Sequence, residues 1–176
     1  MPYKILTLNS KANLFIDQPG SNYWNDESEE KDKVFNVIAH GFDKIEKSPK
    51  YLDLLDSIKL LFKKYKIDIK GSSILSIAAG SCWMECQWLK DSNFEDLTCL
   101  DFSKHRIHKL APFTIEHYDL PGEISLLHGS VFELDLSETK KYDIIFMSQA
   151  FHHFDEPIRL LKNMKQFLTD DGCIVI

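Results

Sequence analysis

The stretch "ILSIAAGSCWMECQWL", residues 74–89, decides how the rest of the chain is read. It begins as a short apolar run, as a strand covered on both faces does. It ends as a helix. Between the two sits Ala-Ala-Gly-Ser-Cys, with one glycine where nucleotide-binding loops usually carry two or three.

Elements alternate from there onward. "LTCLDF" (97–102) reads as a strand, and "SKHRIHKLAPFTIEHY" (103–118) as a helix capped by Ser103 and broken or kinked at Pro112. "GEISLLHGS" (122–130) and "YDIIFMSQA" (142–150) are further strands. "DEPIRLLKNMKQFL" (155–168) is a helix, with Asp155 as candidate cap and Pro157 in its first turn. Its apolar stripe is Ile158, Leu161, Met164, Phe167 and Leu168. "TDDG" (169–172) reads as a turn, and "CIVI" (173–176) as the start of one more strand.

Strands alternating with helices predict an α/β, Rossmann-like, doubly wound and mostly parallel sheet of order 3-2-1-4-5. Ligands of such sheets sit at the carboxyl ends of the strands, where strand order reverses. The expected crevice lies between residues 78–82 and 148–150. Residues 70–176 form this core and 1–69 an N-terminal segment and helical lid. The chain stops inside an apolar strand, so the C-terminal strands are expected to be missing, with an oligomer or partner as one cover for the sheet edge.

In the N-terminal segment, "ANLFI" (12–16) is a candidate strand and residues 26–45 a helix ended before Pro49. A second helix carries Tyr51, Leu54, Leu55, Ile58, Leu61, Phe62 and Tyr65 as its apolar stripe. Lys59, Lys63, Lys64 and Lys66 lie off that stripe and read as a solvated face.

The 176 residues suit one domain, and 44% hydrophobic content suffices for a core. A net charge of -6 argues against a nucleic-acid backbone binder. The four cysteines form no Cys-x-x-Cys pair, and no secretory segment precedes them. They read as free thiols of a cytoplasmic protein. No run approaches the roughly 20 apolar residues of a spanning helix, so no membrane role is expected. His105 and His108 share a helical face, as do Cys82 and Cys86, yet nothing else converges on either pair and no metal is expected.

The order of these segments resembles class I S-adenosylmethionine-dependent methyltransferases over about 60% of the chain. The segments are "ILSIAAGSCWMECQWL", "LTCLDFS", "ISLLHGSVFELDL", "YDIIFMSQAFHHFDEPIRLLKNMKQFL" and "DDGCIVI". The last two are most similar to the small-molecule methyltransferases of this class, where a "LHHxxDP" run precedes the helix. The resemblance implies a methyl transfer from S-adenosylmethionine to a small-molecule acceptor.

It also implies a site. Asp101 would accept both ribose hydroxyls, as a carboxylate can, and Phe102 would lie against the adenine. Ser130 stands where the family often has Asp, and the Val131 N–H would serve the adenine ring. Ala78, Ala79, Gly80 and Ser81 would form the turn under the methionine end. The family pattern Asp-x-Gly-x-Gly-x-Gly is here Ser76, Ala78, Gly80 and Cys82. Ala78 is tolerable there at negative φ. Glu85 either takes part of the missing acid's role or is a solvated helix residue, the second being favoured. Ser148 and Gln149 would meet the methionyl group. His153 and His152 are the candidate bases, or else pack structurally. Tyr23, Trp24 and Phe42 are candidates for acceptor contact from the lid.

Two other readings stay open. One is a binding or scaffold protein with a decayed site, to which Ser76 and Ala78 point. The other is a NAD-dependent oxidoreductase, which expects two close glycines that this chain lacks. No Asn/Asp-Pro-Pro-aromatic tetrad follows residues 142–147, which disfavours nucleic-acid methylation.

Overall fold

The structure is a computed structural model that describes residues 3–8, 49–135 and 140–176. The candidate strand 12–16, the helix 26–45 and the lid residues Tyr23, Trp24 and Phe42 lie outside the described residues.

In chain order the elements are strand β1 (Tyr3–Thr7), helix α1 (Pro49–Tyr65), β2 (Ser73–Ile77), α2 (Trp83–Leu89), β3 (Asp96–Asp101), α3, β4 (Glu123–His128), β5 (Tyr142–Phe146), α4 (Pro157–Gln166) and β6 (Leu168–Val175). Helix α3 is a π turn, Arg106–Leu110, that runs into an α-helix, Ala111–Tyr118. Among the described residues one parallel sheet holds six strands in the order β1-β4-β3-β2-β5-β6. From β4 to β6 this is the expected 3-2-1-4-5. The sequence reading did not anticipate β1, which extends the sheet beyond β4.

Residue alternation on the central strands builds two cores. Ile74, on β2, packs with Leu97, Cys99 and Phe146 against α1, α2 and α3. Its neighbour Leu75 faces the other way with Ile77, Leu100 and Ile145, under Leu160, Met164 and Phe167. On the first face Trp88 stacks between Phe62 at 5.2 Å and Phe146 at 4.7 Å.

Several local expectations change. Helix α1 buries Leu55, Ile58 and Phe62, but Leu61 and Tyr65 are exposed. The expected stripe was wider than the contact. Of the inferred stripe on α4, Met164 and Phe167 are buried as expected, but Leu160 is buried with them and Ile158 is exposed. The N-cap position of α4 is Glu156 rather than Asp155, and no side chain caps it. Pro157 takes the first turn as expected.

Ser103 does cap α3, its Oγ accepting the Arg106 N–H at 3.3 Å. Pro112 neither breaks nor ends that helix. A proline lacks the N–H that an α-helix would use, and the wider π turn just before it absorbs the misfit.

"TDDG" is not a turn: β6 runs through it. Tyr142 pairs with Leu168 while Ile144 pairs with Cys173, so the extra β6 residues form an irregularity in the register. The Thr169 hydroxyl donates to Asp143 at 3.0 Å across it.

Candidate active site

The strand order reverses between β2 and β5, and a cavity of about 470 Å³ opens at the carboxyl ends of β2, β3, β4 and β5. Its wall contains Ala78, Ala79, Gly80 and Ser81 after β2, and Asp101 and Phe102 at the end of β3. Ser130 and Val131 follow β4 there, and Ser148 and Gln149 follow β5. All ten residues expected at the cofactor therefore surround one cavity, with His152 and His153 at its edge.

The turn after β2 keeps the shape of a glycine loop with few of its glycines. Ala78, Gly80 and Cys82 have φ of 56°, 57° and 60°. These are the three positions where the resembled pattern carries glycine. The expectation of negative φ at Ala78 is wrong: the backbone holds its left-handed form and the methyl is accommodated. An L-residue there costs roughly 1–2 kcal/mol, and glycine would return part of that to chain entropy. Ala78→Gly is therefore expected to stabilise the protein by about 0.5–1 kcal/mol. Ala79→Gly, at a residue without positive φ, is expected to destabilise it by a similar amount. Thermal melts of the two variants check this.

Asp101 braces the turn. It is 6% exposed. Its Oδ2 accepts the Gly80 N–H at 2.8 Å and its Oδ1 the Ser103 N–H at 2.7 Å. Each carboxylate oxygen retains a further lone pair. Burial pushes its carboxyl up from the usual range, against the pull of the two N–H groups, Arg106 and His128. On the far side of Asp101, the His128 Nε2–H donates to the Phe102 carbonyl at 3.1 Å.

Ser130 is committed to its own turn. Its Oγ accepts the Phe132 N–H at 3.3 Å, and Glu133 accepts the Ser130 N–H at 2.9 Å, a capping box on the short helix Val131–Glu133. Asn163 of α4 donates to the Val131 carbonyl at 2.6 Å and fixes that helix against the sheet.

Glu85 is buried, at 2% exposure, and not a solvated helix residue. It accepts a 2.5 Å hydrogen bond from Ser76, the position where the resembled pattern has its acid. Burial raises its carboxyl to about 7, opposed by the Ser76 hydrogen bond and a backbone N–H. A carboxylate from the first turn of α2 thus stands within hydrogen-bond reach of Ser76 on β2.

His152 and His153 lie 3.9 Å apart, ring centre to ring centre, on an exposed turn. Partial burial, and then the neighbouring His152, lower the His153 pKa and favour its neutral ring. Arg106, which the sequence reading passed over, also lines the cavity. Its Nη1 lies 3.8 Å from where a Cβ on Gly80 would stand. Its place one turn beyond Ser103 was the available signal. Cys82, Cys86 and Cys99 are buried, and the described residues hold no metal-binding cluster. No helix among them is long and apolar enough to cross a membrane.

Residues 75–174 match the family model of a methyltransferase domain. The chain belongs to that family. Solved structures agree on the fold. A SAM-dependent methyltransferase from Thiobacillus denitrificans, in complex with S-adenosyl-L-homocysteine, is 19% identical with a TM-score of 0.54, the match covering 72% of this chain and 47% of that one. A Geobacter sulfurreducens SAM-dependent methyltransferase, also in complex with S-adenosyl-L-homocysteine, is 18% identical with a TM-score of 0.52, over 72% and 47%. The plantazolicin methyltransferase BpumL, in complex with a triazolic desmethylPZN analog and SAH, is 22% identical with a TM-score of 0.57, over 87% and 54%. This methyltransferase domain spans about half the length of those structures. No curated protein matches it.

Proposed function

We propose that the cavity binds S-adenosylmethionine and that the protein transfers its methyl group to a small-molecule acceptor. The observation that carries this reading is the braced carboxylate. Asp101 sits on the wall of a cavity of about 470 Å³, bonded to the turn of Gly80, with acceptor capacity to spare. A diol such as a ribose fits that donor–acceptor pattern. The volume lies in the range of small-molecule sites.

The bound donor would supply a sulfonium methyl, electrophilic enough to need no metal or covalent intermediate. The protein's own work is then alignment and exclusion of water. Asp101 would hold the ribose and Phe102 would lie against the adenine. The 78–81 turn and residues 148–149 would hold the amino-acid end. Ser130, whose Oγ already caps a turn, offers the adenine less than an aspartate would. His153, whose lowered pKa favours the neutral ring, would take a proton from a hydroxyl acceptor. The net charge of -6 supports a small-molecule acceptor rather than nucleic acid.

Titration calorimetry with S-adenosylhomocysteine tests the reading. Saturable binding at one site per chain is expected, and no heat at millimolar ligand overturns it. The engagement of Ser130 in its own cap favours one alternative, a binding protein whose site has decayed. That reading expects Asp101→Ala to leave any ligand affinity unchanged.

A further inference from the structure

Glu85 has a feature that its hydrogen bond to Ser76 does not explain. Its second oxygen, Oε2, is sealed from solvent and has no hydrogen-bond partner among the described residues. Glu85 is among the residues that line the cavity, beside the 78–81 turn. The titratable groups facing it are Cys82 at the N-cap of its helix, Cys86 within that helix, and Cys99 and Asp101 on β3. None of these is a cation. No ion pair to Glu85 is formed among the described residues. A buried carboxylate in such company has a large unmet demand for positive charge or a proton.

We propose that Glu85 is the anionic partner for the ammonium of the bound ligand's amino-acid end, met directly or through one water. The inference rests on the S-adenosylmethionine reading of the cavity. It assigns a binding role to a helix residue where the strand-borne acid of the resembled pattern has become Ser76. Without ligand, a proton on the carboxyl answers part of the demand, as its raised pKa of about 7 indicates. When the ammonium arrives, the carboxyl ionises. The proton passes to the buffer, and a carboxylate–ammonium pair remains.

The test is calorimetry at pH 7 in two buffers of different ionisation enthalpy, with wild type and Glu85→Gln. Two probes are used: S-adenosylhomocysteine, which carries the ammonium, and 5′-methylthioadenosine, which lacks the amino-acid end. Wild type should release a measurable fraction of a proton per S-adenosylhomocysteine bound, as a group partly protonated at pH 7 does. Glu85→Gln should release none and bind that ligand at least tenfold more weakly, with its affinity for 5′-methylthioadenosine unchanged. Glutamine keeps a partner for Ser76, and a thermal melt of the same sample reports folding.

Equal affinity of the two proteins for S-adenosylhomocysteine overturns the proposal, as does an unchanged proton count or an equal loss on both ligands. Wild type binding neither ligand overturns the S-adenosylmethionine reading itself, whatever the variant does.

Discussion

Asp101→Ala is expected to lower the melting temperature by roughly 4–8 °C and to weaken S-adenosylhomocysteine binding at least a hundredfold. The stability loss follows from two backbone donors. The N–H groups of Gly80 and Ser103 both end on this one carboxylate. Each donor left unpaired in a buried place costs about 1–3 kcal/mol. Relief of the buried charge offsets part of that, leaving about 2 kcal/mol, and each kcal/mol moves the midpoint of a domain this size by about 2–4 °C. The affinity loss follows because the freed Gly80 turn would no longer be held, and the ribose would lose its acceptor. Asp101→Asn separates the two contributions. It keeps one acceptor for one N–H but sets an amide NH₂ against the other, so intermediate stability is expected. Differential scanning calorimetry beside ligand titration checks both. A variant that melts as the wild type does would show that the two N–H groups find other partners.

Glu85→Gln should raise stability, and by an amount that depends on pH. The carboxyl titrates near 7 in the folded chain and at its ordinary value of 4.5 when unfolded. Between those values the folded protein holds more protons than the unfolded one. Wild-type stability therefore falls as pH rises through that window, and the full penalty stands above pH 7. A shift of that size corresponds to about 3 kcal/mol. Near pH 4.5 the two proteins should melt together. By pH 8 the variant should melt several degrees higher, and a gap that stays constant from pH 4.5 to 8 would refute the assignment. The same substitution is expected to weaken ligand binding, so the site holds a group that costs stability and serves function.

The sequence made the sheet legible because its central strands are buried on both faces. Residues 74–77, 97–100 and 143–146 can be little else once helices lie between them. It made the cavity legible because the reversal of strand order fixes where the carboxyl ends converge. The strand β1 was not legible for the converse reason. It lies at the sheet edge with Lys4 to Leu6 exposed, so it carries no burial pattern. Two acids at 170–171 before a glycine have the composition of a turn, and only pairing with β5 shows that β6 runs through them. Glu85 was misread because charge implies water in a helix whose buried side is unknown. All but its first residue are buried in α2, a fact of packing rather than of periodicity. The turn at Ala78 misled in a different way. Glycine is a sign of positive φ, but the surrounding fold can impose that φ on alanine.

The edge strand also bears on the order in which the molecule assembles. Tyr3 pairs with Ile124, and Leu8 donates its N–H to His128 while its side chain fills the space that only a glycine at 129 leaves open. Most of the chain separates these partners, and contacts so distant in sequence close slowly. The neighbouring β2–β3 and β3–β4 pairs join nearby segments and face no such delay. On a ribosome β1 emerges well before β4 and has nothing to pair with until β4 is made. The wall of the cavity after β4 is thus locked by a strand synthesised long before it, in one of the later folding steps.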